Sequence, residues 1–163
     1  GLGAQDIKFP VNIEKLAAKA VETVDVTLDS TMLQLASRFL SEKKQEEAEA
    51  RRIISGLQGI YVRSFEFNKP GEYSPADLES IRTQLKAPLW SRVAGVRSKQ
   101  EGEIAEVYMK KEGDRITGLV VIAAEPQELT IVNIVGPINP EDLGRLGQFG
   151  IPPIAGQPGG EKK

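Results

Sequence analysis

The chain has 163 residues, and 21 lysines and arginines against 23 aspartates and glutamates give a net charge of -2. The basic residues are scattered, which argues against a nucleic-acid partner, and the longest apolar run, residues 119–124, is far shorter than the ~20 residues of a membrane span. Histidine and cysteine are absent, which excludes cysteine nucleophiles, disulfides, Ser-His-Asp triads and His- or Cys-ligated metals. We therefore predict no metal site and no cofactor.

Length and composition indicate one globular domain. Apolar residues make up 40% of the chain, enough at this size to build a core without disulfides or metals. We predict a flexible N-terminus at residues 1–8, a single α+β domain at residues 9–150 and a Pro/Gly-rich tail at residues 151–163. No transmembrane segment is predicted.

Four segments carry apolar residues at helical spacing. The fourth has the clearest start, because Ser74 can cap, Pro75 fits the first turn and Asp77 closes a capping box. A short final helix is predicted near residues 139–142. The residues expected to face inward are Ile13, Leu16, Ala17 and Ala20; Met32, Leu35, Ala36, Phe39 and Leu40; Ala50, Ile53, Ile54 and Leu57; and Leu78, Ile81 and Leu85.

Six segments have the composition and alternation of strands. They are residues 24–28, 60–67, 91–98, 104–110, 115–124 and 129–135. Short turns join the last four, which predicts an antiparallel four-strand meander. The second strand, the fourth helix and the third strand read as a β-α-β unit, whose strands are parallel if they share one sheet.

The stretch from Gly118 to Ile138 is apolar on both sides of its two strands, which indicates that both faces are covered. Four helices are enough for one face of such a sheet. We therefore predict a two-layer α+β fold, with the helices packed on one face of a mostly antiparallel five- to six-stranded sheet. The other face, with Ile116, Val120 and Ile122, is left for the tail, a loop or another molecule.

Two sets of residues have the types that acid–base or nucleophilic catalysis requires. Ser41 and Lys44 have the spacing of serine–lysine acyl enzymes, but they follow a helix end and lack the accompanying motifs. The carboxylate pairs Asp25–Asp29 and Glu125–Glu128 lie at strand ends, where acids commonly keep strands soluble. We predict no catalytic residue.

Aromatic and arginine side chains alternate on two predicted strands. Such a combination can recognise carboxylate, sugar or peptide ligands by stacking and forked hydrogen bonds. The candidate binding residues are Tyr61, Arg63, Trp90, Arg92 and Arg97. The alternative is structural, with the rings in the core and the arginines paired across strands with Glu66, Glu103 or Glu106.

Three long runs carry a family resemblance: VDVTLDSTMLQLASRFL, GLQGIYVRSFEF with EYSPADLESIRTQL, and SRVAGVRSK through VVIAAEPQELTIVNIVGPI. Over residues 9–152 the chain resembles the bacterial domain-of-unknown-function family 4252. The resemblance implies a small exported protein from a family that includes lipoproteins, although the cysteine that a lipid anchor requires is missing here. It supplies no catalytic or ligand residues.

The start of the chain also resembles the end of a bacterial signal peptide, with cleavage after Ala4, so we expect a periplasmic or cell-envelope location. We expect a non-enzymatic interaction module that binds a protein partner or a second copy of itself through an apolar sheet face. The alternatives are a hydrolase that uses carboxylates or the Ser–Lys pair, and an envelope signalling accessory protein.

Overall fold

The computed structural model describes residues 5–149, in which helices and strands follow one another in the predicted order. The helices are α1 (Val11–Glu14), α2 (Ser30–Ser37), α3 (Gln45–Ser55) and α4 (Pro75–Arg82), with 3₁₀ helices at Lys15–Ala18 and Pro140–Phe149. The strands are β1 (Glu22–Asp29), β2 (Gly59–Glu66), β3 (Trp90–Ser98), β4 (Glu103–Glu112), β5 (Arg115–Glu125) and β6 (Glu128–Ile138). None of these helices is long and apolar enough to cross a bilayer. The predicted tail lies outside the described residues.

The six strands form one sheet in the order β1-β2-β6-β5-β4-β3, and every neighbouring pair is antiparallel. The α+β class and the four-strand meander are confirmed. Because the directions alternate, β2 and β3 point the same way, as a β-α-β unit requires, but three strands lie between them.

Both faces of the β5–β6 hairpin are covered by the chain itself. On one face, Val120 and Ile122 belong to a buried cluster with the N-terminal segment and with α4. On the opposite face, Leu119 and Val121 belong to a second cluster, to which α2 and α3 contribute. The fold therefore has three layers, and our prediction of helices on one face only was wrong. We call these two sides of the sheet the α4 face and the α3 face.

The segment before α1 explains how so few helices cover two faces. Ile7 is 1% exposed and lies in the same cluster as Ile13, Leu16 and the inward residues of α4. We predicted that the domain begins at residue 9, whereas Asp6 and Ile7 already pack against the sheet. The surface that we assigned to Val120 and Ile122 is consequently occupied from within the chain.

Helix α2 presents a different side to the sheet from the one its sequence predicts. Leu33 is 1% exposed, whereas Met32, Leu35 and Phe39, which we expected to face inward, are 45%, 47% and 83% exposed. The cause is the start of the helix. Asp29 is both the last residue of β1 and the N-cap, accepting a hydrogen bond from the Met32 N–H at 3.0 Å, so no linker remains to rotate the helix.

The observed orientation of α2 predicts a large effect for one of its leucines and a small effect for another. Leu33→Ala should lower the free energy of unfolding by about 2–4 kcal/mol, because it leaves a cavity under α2. Leu35→Ala should change it by less than about 0.5 kcal/mol, because half of that side chain is already in water. Urea denaturation of the two variants measures the difference, and equal losses would contradict the observed orientation of α2.

Candidate functional site

The five predicted binding residues do not come together. Tyr61 and Arg63 lie on β2, whereas Trp90, Arg92 and Arg97 lie on β3, at the far edge of the sheet. Four strand spacings separate the two groups, or roughly 19 Å at ~4.8 Å per strand. Tyr61 and Trp90 are also only 4% and 6% exposed, so their rings are part of the core.

Arg63 is held by its own chain on the α4 face. Its guanidinium lies 2.8 Å from the carboxylate of Asp25 and 3.2 Å from that of Glu14, and 4.5 Å from the ring centre of Phe9. Arg63 thus pairs with acids on α1 and β1 rather than with Glu66. These contacts fasten the N-terminal segment to the sheet.

Glu106 is a buried carboxylate, and both of its oxygens accept hydrogen bonds. Arg82 on α4 donates to its two oxygens at 2.9 and 3.1 Å, and the Tyr108 hydroxyl donates at 2.9 Å. Burial alone would raise the pKa of Glu106, but the hydrogen bonds from Arg82 and Tyr108 lower it below its usual value. Arg92 lies 3.8 Å from Glu106, as the structural interpretation predicts, and Arg97 is exposed. This cluster fastens α4 to β4.

The residues that we weighed as catalytic make separate contacts. The Ser41 hydroxyl accepts a hydrogen bond from the Lys43 N–H at 3.0 Å, and the Lys44 ammonium lies 3.9 Å from Glu47. Neither contact joins Ser41 to Lys44. Within residues 5–149, no group of three or more carboxylates is arranged to hold a metal ion.

The strand register aligns glutamates across the sheet. Glu22 lies opposite Glu66, Glu66 opposite Glu128, and Glu128 opposite Glu125. Glu103 extends the row, since it comes one residue before the Ile104–Ala124 pair. We call the five residues the glutamate ladder. Because side chains alternate along a strand, all five lie on the α3 face, at one end of the strands.

The carboxylates of the ladder have no nearby positive charge among the described residues to compensate them. None of its five members forms an ion pair with a lysine or arginine in the described part of the chain. A hydrogen bond and charge repulsion from Glu22 raise the pKa of Glu66, and burial followed by repulsion from Glu128 and Glu103 raises the pKa of Glu125. Like charges directly opposite each other destabilise a sheet, so the ladder reduces stability.

Next to the ladder, on the same face, runs a row of small side chains that no helix buries. We call this row the open strip. Its members, in order across the sheet, are Val24, Ser64, Thr130, Ala123, Ala105 and Val96. The four inner residues are half-buried, and the two edge valines are 50% and 65% exposed. The Ser64 and Thr130 hydroxyls bond to each other at 2.8 Å, so the strip presents no unpaired hydroxyl.

The coverage of the α3 face changes abruptly beyond the strip. In the next row, Val132, Val121 and Val107 are at most 5% exposed, and they share a cluster with α2 and α3. The helices therefore cover one part of this face and leave a shallow trough, lined by alanines, valines and the hydrogen-bonded Ser64–Thr130 pair, between themselves and the ladder.

Of this surface, the sequence analysis identified the Glu125–Glu128 pair as neighbouring acids and named Glu66 and Glu103 only as possible partners of arginines. The acids at the ends of the other predicted strands were a usable signal, but their alignment depends on the register. No strand pattern indicates the open strip, because its members come from six different strands.

Glu106, which is paired with Arg82, and Glu125, which faces other glutamates, should respond oppositely to replacement by glutamine. Glu106→Gln should lower the free energy of unfolding at pH 7 by about 2 kcal/mol, because a charged hydrogen-bond acceptor is lost. The folded-state pKa of Glu106 is lowered, so its stabilisation exists above the ordinary glutamate pKa of ~4.3 and disappears as the pH falls. The wild-type and variant stabilities should therefore converge in acid.

Glu125→Gln should do the reverse at neutral pH and raise the melting temperature, because it removes repulsion within the ladder. The folded-state pKa of Glu125 is raised, so the folded state binds the proton more tightly and the wild type loses stability as the pH rises. The gain should therefore vanish below about pH 4. Glu101→Gln, in an exposed turn outside the ladder, is the control. A destabilised Glu125→Gln protein at pH 7 would contradict an uncompensated ladder.

The comparisons with known proteins identify a family and no function. Neither the curated proteins nor the solved structures contain a match to this sequence. Residues 18–146 match the model of a family described as "Domain of unknown function (DUF4252)". This range covers every strand of the sheet, the open strip and the glutamate ladder. The chain therefore belongs to the DUF4252 family.

Proposed function

We propose that this protein is a non-enzymatic, extracytoplasmic binding module whose open strip and glutamate ladder bind a basic amphipathic helix of a partner protein. The observation that carries the proposal is the juxtaposition of an uncovered trough of small, mostly apolar side chains with five carboxylates that have no cationic partner in the part of the chain that the structure describes. Features that reduce stability without a compensating contact inside the fold commonly serve function.

The dimensions of the trough favour a helix. Five strand spacings across the sheet measure about 24 Å, the length of a helix of about 16 residues. The side chains in the middle of the strip are small, so a helix backbone can approach the sheet closely. Valines at the two edges, Val24 and Val96, would contact the apolar face of the bound helix near its ends.

The ladder determines the charge of the partner. Adjacent strands place one glutamate every ~4.8 Å, close to the ~5.4 Å rise of one helical turn. A helix with a lysine or arginine on one flank in each turn can therefore pair with successive glutamates. Such pairing would remove the repulsion within the ladder and increase the association rate at low salt.

Two further features support the wider proposal. The chain has no histidine or cysteine, and its buried carboxylate Glu106 is fully engaged by Arg82 and Tyr108, which leaves no acid–base group for catalysis there. The family resemblance supports export from the cytoplasm. An envelope signalling accessory protein would use the same surface, whereas no contact among the described residues favours a hydrolase.

A matched pair of synthetic helices tests the binding surface. One peptide carries an alanine and leucine face with a lysine on one flank in every turn, and the other has glutamate in place of each lysine. We expect only the lysine peptide to bind, with NMR shift changes centred on the amides of Ala105, Ala123 and Thr130. Affinity should fall with added salt, because the paired groups are exposed.

Three variants distinguish the contribution of the glutamate ladder from that of the open strip. The triple variant E66Q/E125Q/E128Q should weaken binding of the lysine peptide at least tenfold and reduce its salt dependence. Ala123→Arg should block the trough, and Phe39→Ser, in the exposed turn after α2, should have no effect. Equal binding of both peptides, or shifts centred on Met32 and Phe39, would contradict the proposed surface.

The oligomeric state and the location are tested separately. A light-scattering mass of two chains that Ala123→Arg reduces to one would show that the strip binds a second copy, contrary to the proposal. Fractionation of the native cells tests export, which recovery of the protein with the cytoplasm would contradict.

A further inference from the structure

A second candidate site lies at the opposite end of the strands from the glutamate ladder. There a cleft with a volume of about 370 Å³ opens beside the ends of β4, β5 and β6. Its lining is mostly polar and includes Asp6, Gln58, Lys110, Arg115 and Thr117. A cleft of this size can hold a small molecule.

One wall of the cleft is rigid. The Asp6 backbone N–H donates to the Asn133 side chain at 2.8 Å, and Asn133 donates back to the Asp6 carboxylate at 3.1 Å. Lys110 donates to the other oxygen of Asp6 at 3.1 Å. The carboxylate lies against Gly118, where a Cβ atom would be only 2.6 Å from its oxygen. These contacts fix the Lys110 ammonium at the cleft.

Another wall contains a bulge in β5. The register of β5 with β6 passes from Ile116 to Gly118, and the register with β4 also omits Thr117. The Thr117 hydroxyl is buried and is the one such side-chain atom without a hydrogen-bond partner in the described part of the chain. Bulges are frequent beside functional sites, and a buried hydroxyl without a partner costs free energy in the unliganded protein.

The remaining free groups of the cleft are hydrogen-bond donors. The guanidinium of Arg115 and the side-chain amide of Gln58 have no partner among the described residues, and Thr117, whose buried hydroxyl also lacks one, lines the same cleft. The forked geometry of a guanidinium matches a carboxylate. Asp6 and Glu112 also line the cleft, and their negative charges disfavour a dianion such as phosphate.

We propose that this cleft binds a small organic acid through one carboxylate, with Arg115 as the main ligand and Thr117 and Gln58 as further donors. Lys110 is already paired with Asp6 and lies 3.7 Å from Glu112, so Arg115 is the cation of this lining that remains to attract the anion. The proposal is independent of the open strip, since the two sites lie at opposite ends of the sheet.

A size-matched series of probes tests this site on the full chain. Propionate, lactate and glutamate, each with a net charge of -1 at neutral pH, are titrated against the ¹⁵N-labelled protein, with propylamine, 1-propanol and inorganic phosphate as controls. We expect saturable shifts of the Thr117 and Gly136 amides with the three carboxylates alone. The proposal would be overturned by shifts that are equal with propylamine or stronger with phosphate. It would also be overturned if millimolar carboxylate caused no shifts.

Two variants separate ligand binding from structure. Arg115→Gln should weaken carboxylate binding at least fivefold, whereas Arg97→Gln, an exposed arginine outside the cleft, should leave it unchanged. Thr117→Val removes the unpaired hydroxyl at constant shape, so it should raise the melting temperature and still weaken binding. A Thr117→Val protein that is less stable and binds carboxylate normally would assign the hydroxyl a structural role instead.

Discussion

The β5–β6 hairpin is apolar on both faces, and this constraint determines the rest of the structure. Residues such as Val120 and Ile122 on one side, and Leu119 and Val121 on the other, are fully removed from water. Each exposed apolar face would be unfavourable by about 25 cal/mol per Å². The helices consequently divide between the two faces, and the segment around Ile7 supplies the area that α4 alone lacks.

The division leaves the α3 face incompletely covered. Helices α2 and α3 bury the rows beneath them, but the sheet extends beyond the helices, and its outermost rows form the open strip and the glutamate ladder. A fold selected only for stability would place alternating charges at adjacent strand ends. Five glutamates in register therefore distinguish this edge from the rest of the surface and support its assignment as a binding site.

Satisfied and unsatisfied polar groups distinguish the structural contacts of this protein from its two proposed binding sites. Glu106 and Arg63 are charged and largely buried, yet each has close partners that connect a helical segment to the sheet. In the described part of the chain, the glutamate ladder has no cationic partner and the Thr117 hydroxyl has no hydrogen-bond partner. Buried or aligned polar groups without partners are the ones for which a ligand is the natural complement.

Local patterns in the sequence were sufficient to predict the helices and strands, their order, the meander and the double burial of the hairpin, because each depends on residues close together in the chain. Tertiary structure decided the rest. The rotation of α2 depends on how Asp29 ends β1, and the ladder depends on a register shared by Glu22, Glu66 and Glu128. The open strip depends on where two helices stop. The ladder and the open strip are relations between distant segments, and the α2 orientation depends on the junction of a strand with a helix, so a periodicity within one segment carries no information about any of them.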